Sequence, residues 1–265
     1  MIAGAMDLGH YLQRMGYRGP LQPTLEALRE LHLQHLQAVP FENLDVHGHR
    51  PRVLDEAALF DKLVRGNRGG SCHELNGLFA ALLRTLGFQV TYLSARVSTD
   101  GAWPTTPDFE HLVLEVILEE RWLVDVGFGD SFDEPLPLVP GRWPSAGRVF
   151  RLEPREEEWM LSREEPDGEA RLLYVFSRVP RRLDDFAERF QHHQSSPDSL
   201  LGGEVLCTRK TARGRVTLRG DRLILTERDH RVERVLGPSE ERDQLLLSHF
   251  GIPLGTLGST ATPRR

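Results

Sequence analysis

The stretch RGNRGGSCHELNGLFAALLRTLGF, residues 65–88, decides how the rest of the chain is read. Leu75, Phe79, Leu82, Leu83 and Leu86 recur at the spacing of one buried helix face. Ser71 followed by Glu74 has the form of a capping box, and Gly87 supplies a residue suited to ending a helix. The spacing therefore predicts a helix over 71–86 with Cys72 at its mouth, on the apolar face. Unpaired backbone amides and the helix dipole favour negative charge there. A thiol so placed ionises more readily than a free one, near about 8.5, and the thiolate is the nucleophile. Gly69 and Gly70 let the incoming backbone turn sharply and leave room for a substrate. Chemistry at this sulfur requires a cleft at that end of the helix. Free cysteines are also common inert fillers, so the local sequence leaves both readings open, while Cys207, inside an apolar run, reads as a filler.

Upstream of this helix the chain is mainly helical. Leu25, Leu28, Leu31, Leu33 and Leu36 follow Thr24, a plausible N-cap, and PFENLDV (40–46) breaks that helix. Residues 54–66 form a further amphipathic segment with Leu54, Ala58, Leu59 and Leu63 inward. After Gly87 the pattern changes to short runs rich in β-branched and aromatic residues, at 88–97, 111–118, 121–128 and on to about 179. The proline-heavy stretch 135–147 reads as irregular. A short helix at 183–194, hairpins over 205–229 turning at Gly214 and Gly220, and a helix over 238–251 capped by Ser239 complete the chain, with a loose tail. Helices, then strands, then a smaller mixed region make an α+β chain in segregated blocks.

The net charge of −6 argues against a general nucleic-acid binder, so an anionic ligand needs a local basic patch. Such a patch exists at TRKTARGRVTLRGDR (208–222), where Asp221 is the one acid; a solvated hairpin face is the alternative. Two distant cysteines offer no disulfide framework and no paired zinc ligands, which fits a reducing cytoplasm. No signal peptide and no membrane-spanning run is read, so neither membrane nor nucleic acid is expected as a partner.

A nucleophilic cysteine needs a base, and the base an orienting group. Among eleven histidines, His111 stands at the start of an apolar strand. His73 diverges from Cys72 on the helix, His32 and His35 lack further metal ligands, and His192 and His193 read as solvated. Asp125 is a lone carboxylate in an apolar run, costly to bury unless paired, and His111 would satisfy it. Register opposes this pairing. With Glu119 and Glu120 as a two-residue turn, Asp125 falls opposite Leu114, on the other face from His111. A bulge or a longer connection is required. A Glu42–Arg68 ion pair, tying the PFEN turn to the loop before Cys72, is a further expectation.

Taken together, RGGSCHELNGLF (68–79), PFENLDV, SARV (94–97) and WLVDVGFG (122–129) resemble the arylamine N-acetyltransferase family in its prokaryotic form, most strongly over 24–130. The resemblance implies a catalytic triad of Cys72, His111 and Asp125. It implies a papain/transglutaminase-like core, built from an N-terminal helical bundle (1–88) and a β-barrel (89–195), with a C-terminal α/β lid (196–265). The implied reaction is ping-pong transfer of acetyl from acetyl-CoA, through a cysteine thioester, to arylamines, hydrazines or N-hydroxyarylamines. No permanently bound cofactor and no metal is expected, and a homo-oligomer is allowed. Phe41, Val97 and Phe128 are candidate walls for a flat acceptor, with ordinary core packing as the alternative. Gly127 and Gly129 bracket Phe128 in the turn the family sets beside the pantetheine arm of CoA. Two departures stand out: Ser71 and His73 replace the large residues usual beside the cysteine, and ARGR (212–215) replaces a threonine- or aspartate-glycine-arginine turn. A polyketide amide synthase and a cysteine hydrolase are alternatives on the same triad. A non-enzymatic scaffold would leave Cys72 no more reactive than a free thiol.

Overall fold

The computed structural model describes residues 6–103, 106–145, 147–165, 167–227, 230–237 and 239–253; most of the C-terminal tail lies outside them. Five helices come first: α1 (Leu8–Met15), α2 (Leu25–Ala38), α3 (Leu44–His47), α4 (Glu56–Phe60) and α5 (Cys72–Thr85). Thr24 caps α2 through the Ala27 amide, as its position suggested. The amphipathic segment after Leu54 is shorter than expected. α4 passes into a π turn, Asp61–Arg65, closed by the Gly66 amide on the Asp61 carbonyl. That widened turn carries Lys62, whose ammonium is drawn to Asp45 and Glu74.

The first strand, β1 (Phe41–Glu42), interrupts the helices. The next eight form one antiparallel sheet: β2 (Gln89–Val97), β3 (His111–Ile117), β4 (Arg121–Val124), β5 (Leu136–Pro137), β6 (Gly141–Ser145), β7 (Arg148–Arg155), β8 (Glu158–Glu164) and β9 (Ala170–Ser177). Their order, β5-β4-β3-β2-β9-β8-β7-β6, leaves β5 and β6 at the two ends of a nearly closed barrel. Strands β5 and β6 correct the irregular reading of 135–147. Pro144 is tolerated because β6 is an edge, where a missing N–H breaks no ladder on the open side.

The sheet separates two cores by alternation. Leu112, Leu114 and Val116 of β3, with Trp122 and Val124 of β4, pack against the helices. Val113 and Leu123 point the other way, into the barrel with Phe150, Leu161 and Phe176. Helix α5 lies between α1 and α4 on one side and β2 and β3 on the other. Every residue from Cys72 to Leu83 is therefore buried, not one stripe only.

The remaining chain builds a second sheet beside the barrel. A 3-10 turn (Leu183–Phe186) leads into α6 (Ala187–Ser195), then β10 (Leu206–Lys210), β11 (Gly214–Arg219), β12 (Arg222–Glu227), β13 (His230–Val235) and α7 (Ser239–Phe250). One hairpin turns at Gly220, φ 57°, as expected; the other turns over 211–213, and Gly214 is the first residue of β11, opposite Glu227. α7 begins at Ser239, and the cap expected from that side chain lies outside what the structure describes. The sheet order β1-β10-β11-β12-β13 recruits the PFEN strand to its edge. One face, with Val216, Leu218 and Leu223, packs on Leu246 and Phe250 of α7 and on Leu44 of α3. The other face presents Thr217, Ile224 and Thr226 to a cavity above Cys72. The α+β architecture expected from the sequence is the one observed.

Candidate active site

The loop entering α5 is held by a buried network of charges. Arg68 meets Glu42 at 2.6 Å, the pair expected from sequence, and Asp45 at 2.8 Å. Lys62 joins Asp45 (2.8 Å) to Glu74 (2.7 Å), and Arg52 meets Glu74 at 3.3 Å. Each carboxylate thus has a cation and each cation a carboxylate, the condition under which buried charges are tolerated. Glu74 also closes the cap, accepting from the Ser71 amide (2.8 Å) and hydroxyl (3.0 Å). Gly69 is obligatory here: a Cβ would sit 2.1 Å from the Pro40 carbonyl oxygen.

With the helix start fixed, strands β3 and β4 supply the partners of Cys72. Ile117 pairs with Arg121 and Leu114 with Val124, so the connection is Leu118–Glu120, closed by the Leu118 amide on the Glu120 carbonyl at 2.8 Å. The extra loop residue shifts the register by one. Asp125 continues the face of Leu123 and lies with His111 instead of opposite it. Asp125 Oδ2 is 2.8 Å from His111 Nε2. Asp125 Oδ1 accepts from Asn76 Nδ2 and the Gly127 amide, both at 2.9 Å, and Asn76 Oδ1 accepts from the Val126 amide. Gly127 has no room for a side chain, since a Cβ would lie 2.8 Å from the Cys72 Cα.

The sulfur of Cys72 lies 3.7 Å from the Glu110 carbonyl oxygen, one residue before His111, and interacts with the His111 imidazole. Burial alone would push the Cys72 thiol up, but the imidazoles of His73 and His111 outweigh it and hold the thiol at about 5. Burial likewise opposes a charge on His111, yet Asp125 and Cys72 raise it to about 10. A thiolate–imidazolium pair therefore spans neutral pH. Iodoacetamide should alkylate Cys72 at a rate that rises through pH 5 and levels off well below pH 7. A titration at the ordinary thiol value near about 8.5 would rule the ion pair out.

The chain segment before His111 is under strain. Phe109 has φ 64°, a left-handed conformation that costs a bulky residue about 1–3 kcal/mol. It is pinned at both ends: its amide donates to Ser94 Oγ (2.8 Å) and its carbonyl accepts from His73 Nε2 (2.9 Å). His73, expected to diverge from Cys72 along the helix, instead acts on its thiol while bonded to the Phe109 carbonyl.

A cavity of about 540 Å³ opens above the sulfur. Phe41, Val97 and Phe128 all line it, as do Gly127 and Gly129, the latter at φ 89° beside Phe41. The Phe128 ring lies 5.3 Å from the His111 ring, edge to face. The basic segment divides. Arg215 and Arg219 line the cavity, joined by Arg231 of β13, whereas Arg209 turns to the Gln37 and His249 carbonyls and Lys210 to Asp133. Among the described residues no cluster of side chains is arranged to hold a metal, and no helix is long and apolar enough to cross a membrane.

A family model described as N-acetyltransferase matches residues 24–258. A pineal-gland arylamine N-acetyltransferase isozyme of Gallus gallus is 34% identical, covering 94% of this chain and 95% of its own length. The chain belongs to the arylamine N-acetyltransferase family. It is accordingly an acyltransferase, and the four motifs that suggested the family were sufficient to find it. The arylamine N-acetyltransferase of Mycobacterium marinum has the same fold, with a TM-score of 0.87 at 33% identity over 95% of each chain. Its complex with CoA superposes with a TM-score of 0.85 at 33% identity, over 93% of each chain.

Three residues of this family member's site were not identified from sequence. Asn76 lies one helical turn after Cys72, and a lone amide on that apolar face was the available signal. His193 is buried, not solvated: Phe186, Phe190 and His193 follow helical spacing and form the inner face of the turn and α6. Glu110 is buried beside His111, in contact with Arg189 and His193.

Proposed function

We propose that the chain transfers the acetyl group of acetyl-CoA to the nitrogen of arylamines and hydrazines, or to the oxygen of N-hydroxyarylamines, in ping-pong order through a thioester on Cys72. The observation that carries this reading is the line Cys72–His111–Asp125 at the floor of a cavity walled by Phe41, Val97 and Phe128. The CoA complex of the Mycobacterium marinum relative supports the choice of donor.

In the first half-reaction the Cys72 thiolate attacks the acetyl carbonyl carbon. A tetrahedral intermediate forms, and the amide of Cys72 at the helix start is a donor suited to its oxyanion. The C–S bond to CoA breaks, and the departing sulfur takes the proton from His111. In the second, the acceptor nitrogen attacks the thioester and His111, now neutral, removes its proton. Cys72 leaves as thiolate, and the ion pair is restored. Asp125 orients the ring throughout and stabilises its charged form. Thioester-for-thioester exchange is nearly balanced in energy, so an ionised sulfur and one oxyanion donor suffice for the first step. Arg215, Arg219 and Arg231 line the cavity from the second sheet, each beside a carboxylate (Asp130, Glu204 and Glu233), and are the cations this reading offers to the phosphates of CoA.

Brief exposure to acetyl-CoA without an acceptor, followed by mass spectrometry, tests this. One acetyl group on Cys72, discharged by an aromatic amine, is expected. Discharge at the same rate by water alone would make the protein a hydrolase, and absence of the adduct would overturn the mechanism.

A further inference from the structure

The cavity floor holds a polar group that acetyl transfer does not use. Glu110 is buried, lines the cavity, and precedes His111 directly. Its Oε2 is taken by Arg189, and its Oε1 lies 3.3 Å from His193 Nε2. On its other side the His193 ring is held by Ser199, whose Oγ lies 2.9 Å from Nδ1 and also accepts from the Leu201 amide at 3.1 Å. His193 Nε2 is the ring nitrogen nearer Glu110, with no hydrogen bond between them among the described residues. Burial, with His73 and Arg189 nearby, holds His193 down at about 3, so the ring is neutral and adds no positive charge.

A carboxylate offers roughly four acceptor directions; Arg189 takes Oε2, which leaves Oε1 open to a further donor. Burial raises the Glu110 carboxyl and Arg189 draws it back down, so this part of the wall is a hydrogen-bond acceptor whose charge is balanced at Oε2. Arg189 engages Oε2 and is not among the residues that line the cavity. The lining cations, Arg215, Arg219 and Arg231, come from β11 and β13 of the second sheet, each beside a carboxylate of its own.

We infer that Glu110 determines acceptor choice, favouring aromatic amines with a neutral N–H or O–H donor on the ring and disfavouring those with a ring carboxylate. A donor completes the shell of Oε1, whereas an acid sets acceptor against acceptor in a desolvated site. The inference rests on the acyl-transfer reading and adds the substrate class that the site accepts.

The test compares 3- and 4-aminobenzamide with 3- and 4-aminobenzoate as acceptors for the full-length protein. The amide withdraws electrons from the ring more strongly than the ionised acid, so intrinsic reactivity runs against the expected result. For at least one isomer pair, kcat/KM should favour the amide by about tenfold or more, falling to within about threefold in Glu110→Gln. Because Glu110→Gln leaves Arg189 unpaired, the double variant Glu110→Gln/Arg189→Gln provides a charge-neutral second measurement. A wild-type ratio below about threefold for both isomers overturns the inference, as does a larger ratio that both variants preserve. The acetyl adduct on Cys72 is recorded in parallel. Its absence would remove the acyl-transfer reading, whereas an adduct without acceptor selectivity would remove this inference alone.

Discussion

Replacing Asp125 with asparagine is expected to lower kcat by about 10³–10⁴-fold while leaving the circular dichroism spectrum unchanged. The size follows from hydrogen-bond direction. Asn76 Nδ2 and the Gly127 amide both donate to Asp125 Oδ1. An asparagine must therefore turn its oxygen to them and its NH2 group to His111. The Nε2 of His111 then has to accept, which moves the ring proton to Nδ1, the side toward Cys72. An imidazole in that tautomer cannot take the thiol proton without setting N–H against N–H at the asparagine. The ion pair is lost, and with only His73 left to oppose burial the Cys72 thiol titrates well above its value of about 5. Iodoacetamide kinetics against pH separate this from a general loss of structure. A drop of less than about tenfold with an unmoved thiol titration would show that Asp125 does not set the tautomer.

The same residue shows how far the sequence could be read. Asp125 and His111 were both conspicuous, as a carboxylate and an imidazole in apolar strands, because burying such groups is costly unless they are paired. Their geometry was not legible. A two-residue turn at Glu119–Glu120 and the observed three-residue loop differ by one position, and that position reverses every side chain on β4. The helix cap at Ser71 and the end at Gly87 could be placed because both depend on local backbone chemistry. Burial of the whole of α5 depends on what packs around it, and no periodicity within the helix reports that. Likewise Gly127 read only as one of two glycines bracketing Phe128, and the approach of Cys72 shows that it is glycine for want of space.

Glu74→Ala should destabilise the fold by about 3–5 kcal/mol, because it removes one member of a buried ionic network and leaves its partners charged. Arg52 and Glu74 are almost wholly buried, and Lys62 is nearly so. Without Glu74 the Arg52 guanidinium faces no carboxylate and Lys62 retains only Asp45, while the Ser71 amide loses its cap at the start of α5. Glu74→Gln keeps an acceptor for that amide but not the charge, so it should fall between alanine and wild type. For a chain of this size the alanine variant should melt about 10 °C lower. The pH dependence gives the sign. Burial would raise the Glu74 carboxyl, but Lys62 and Arg52 hold it below its ordinary 4.5, and Lys62 and Arg68 hold Asp45 below 3.8 against the same burial. A carboxyl lowered in the folded state contributes stability that is complete above its unfolded value and is lost as pH falls through the folded one. The gap between wild type and Glu74→Ala, from urea unfolding, should therefore be constant above about pH 5 and shrink below pH 4. A gap below about 1 kcal/mol, or one that widens in acid, would mean that Glu74 is not the charge that holds the Cys72 helix mouth in place.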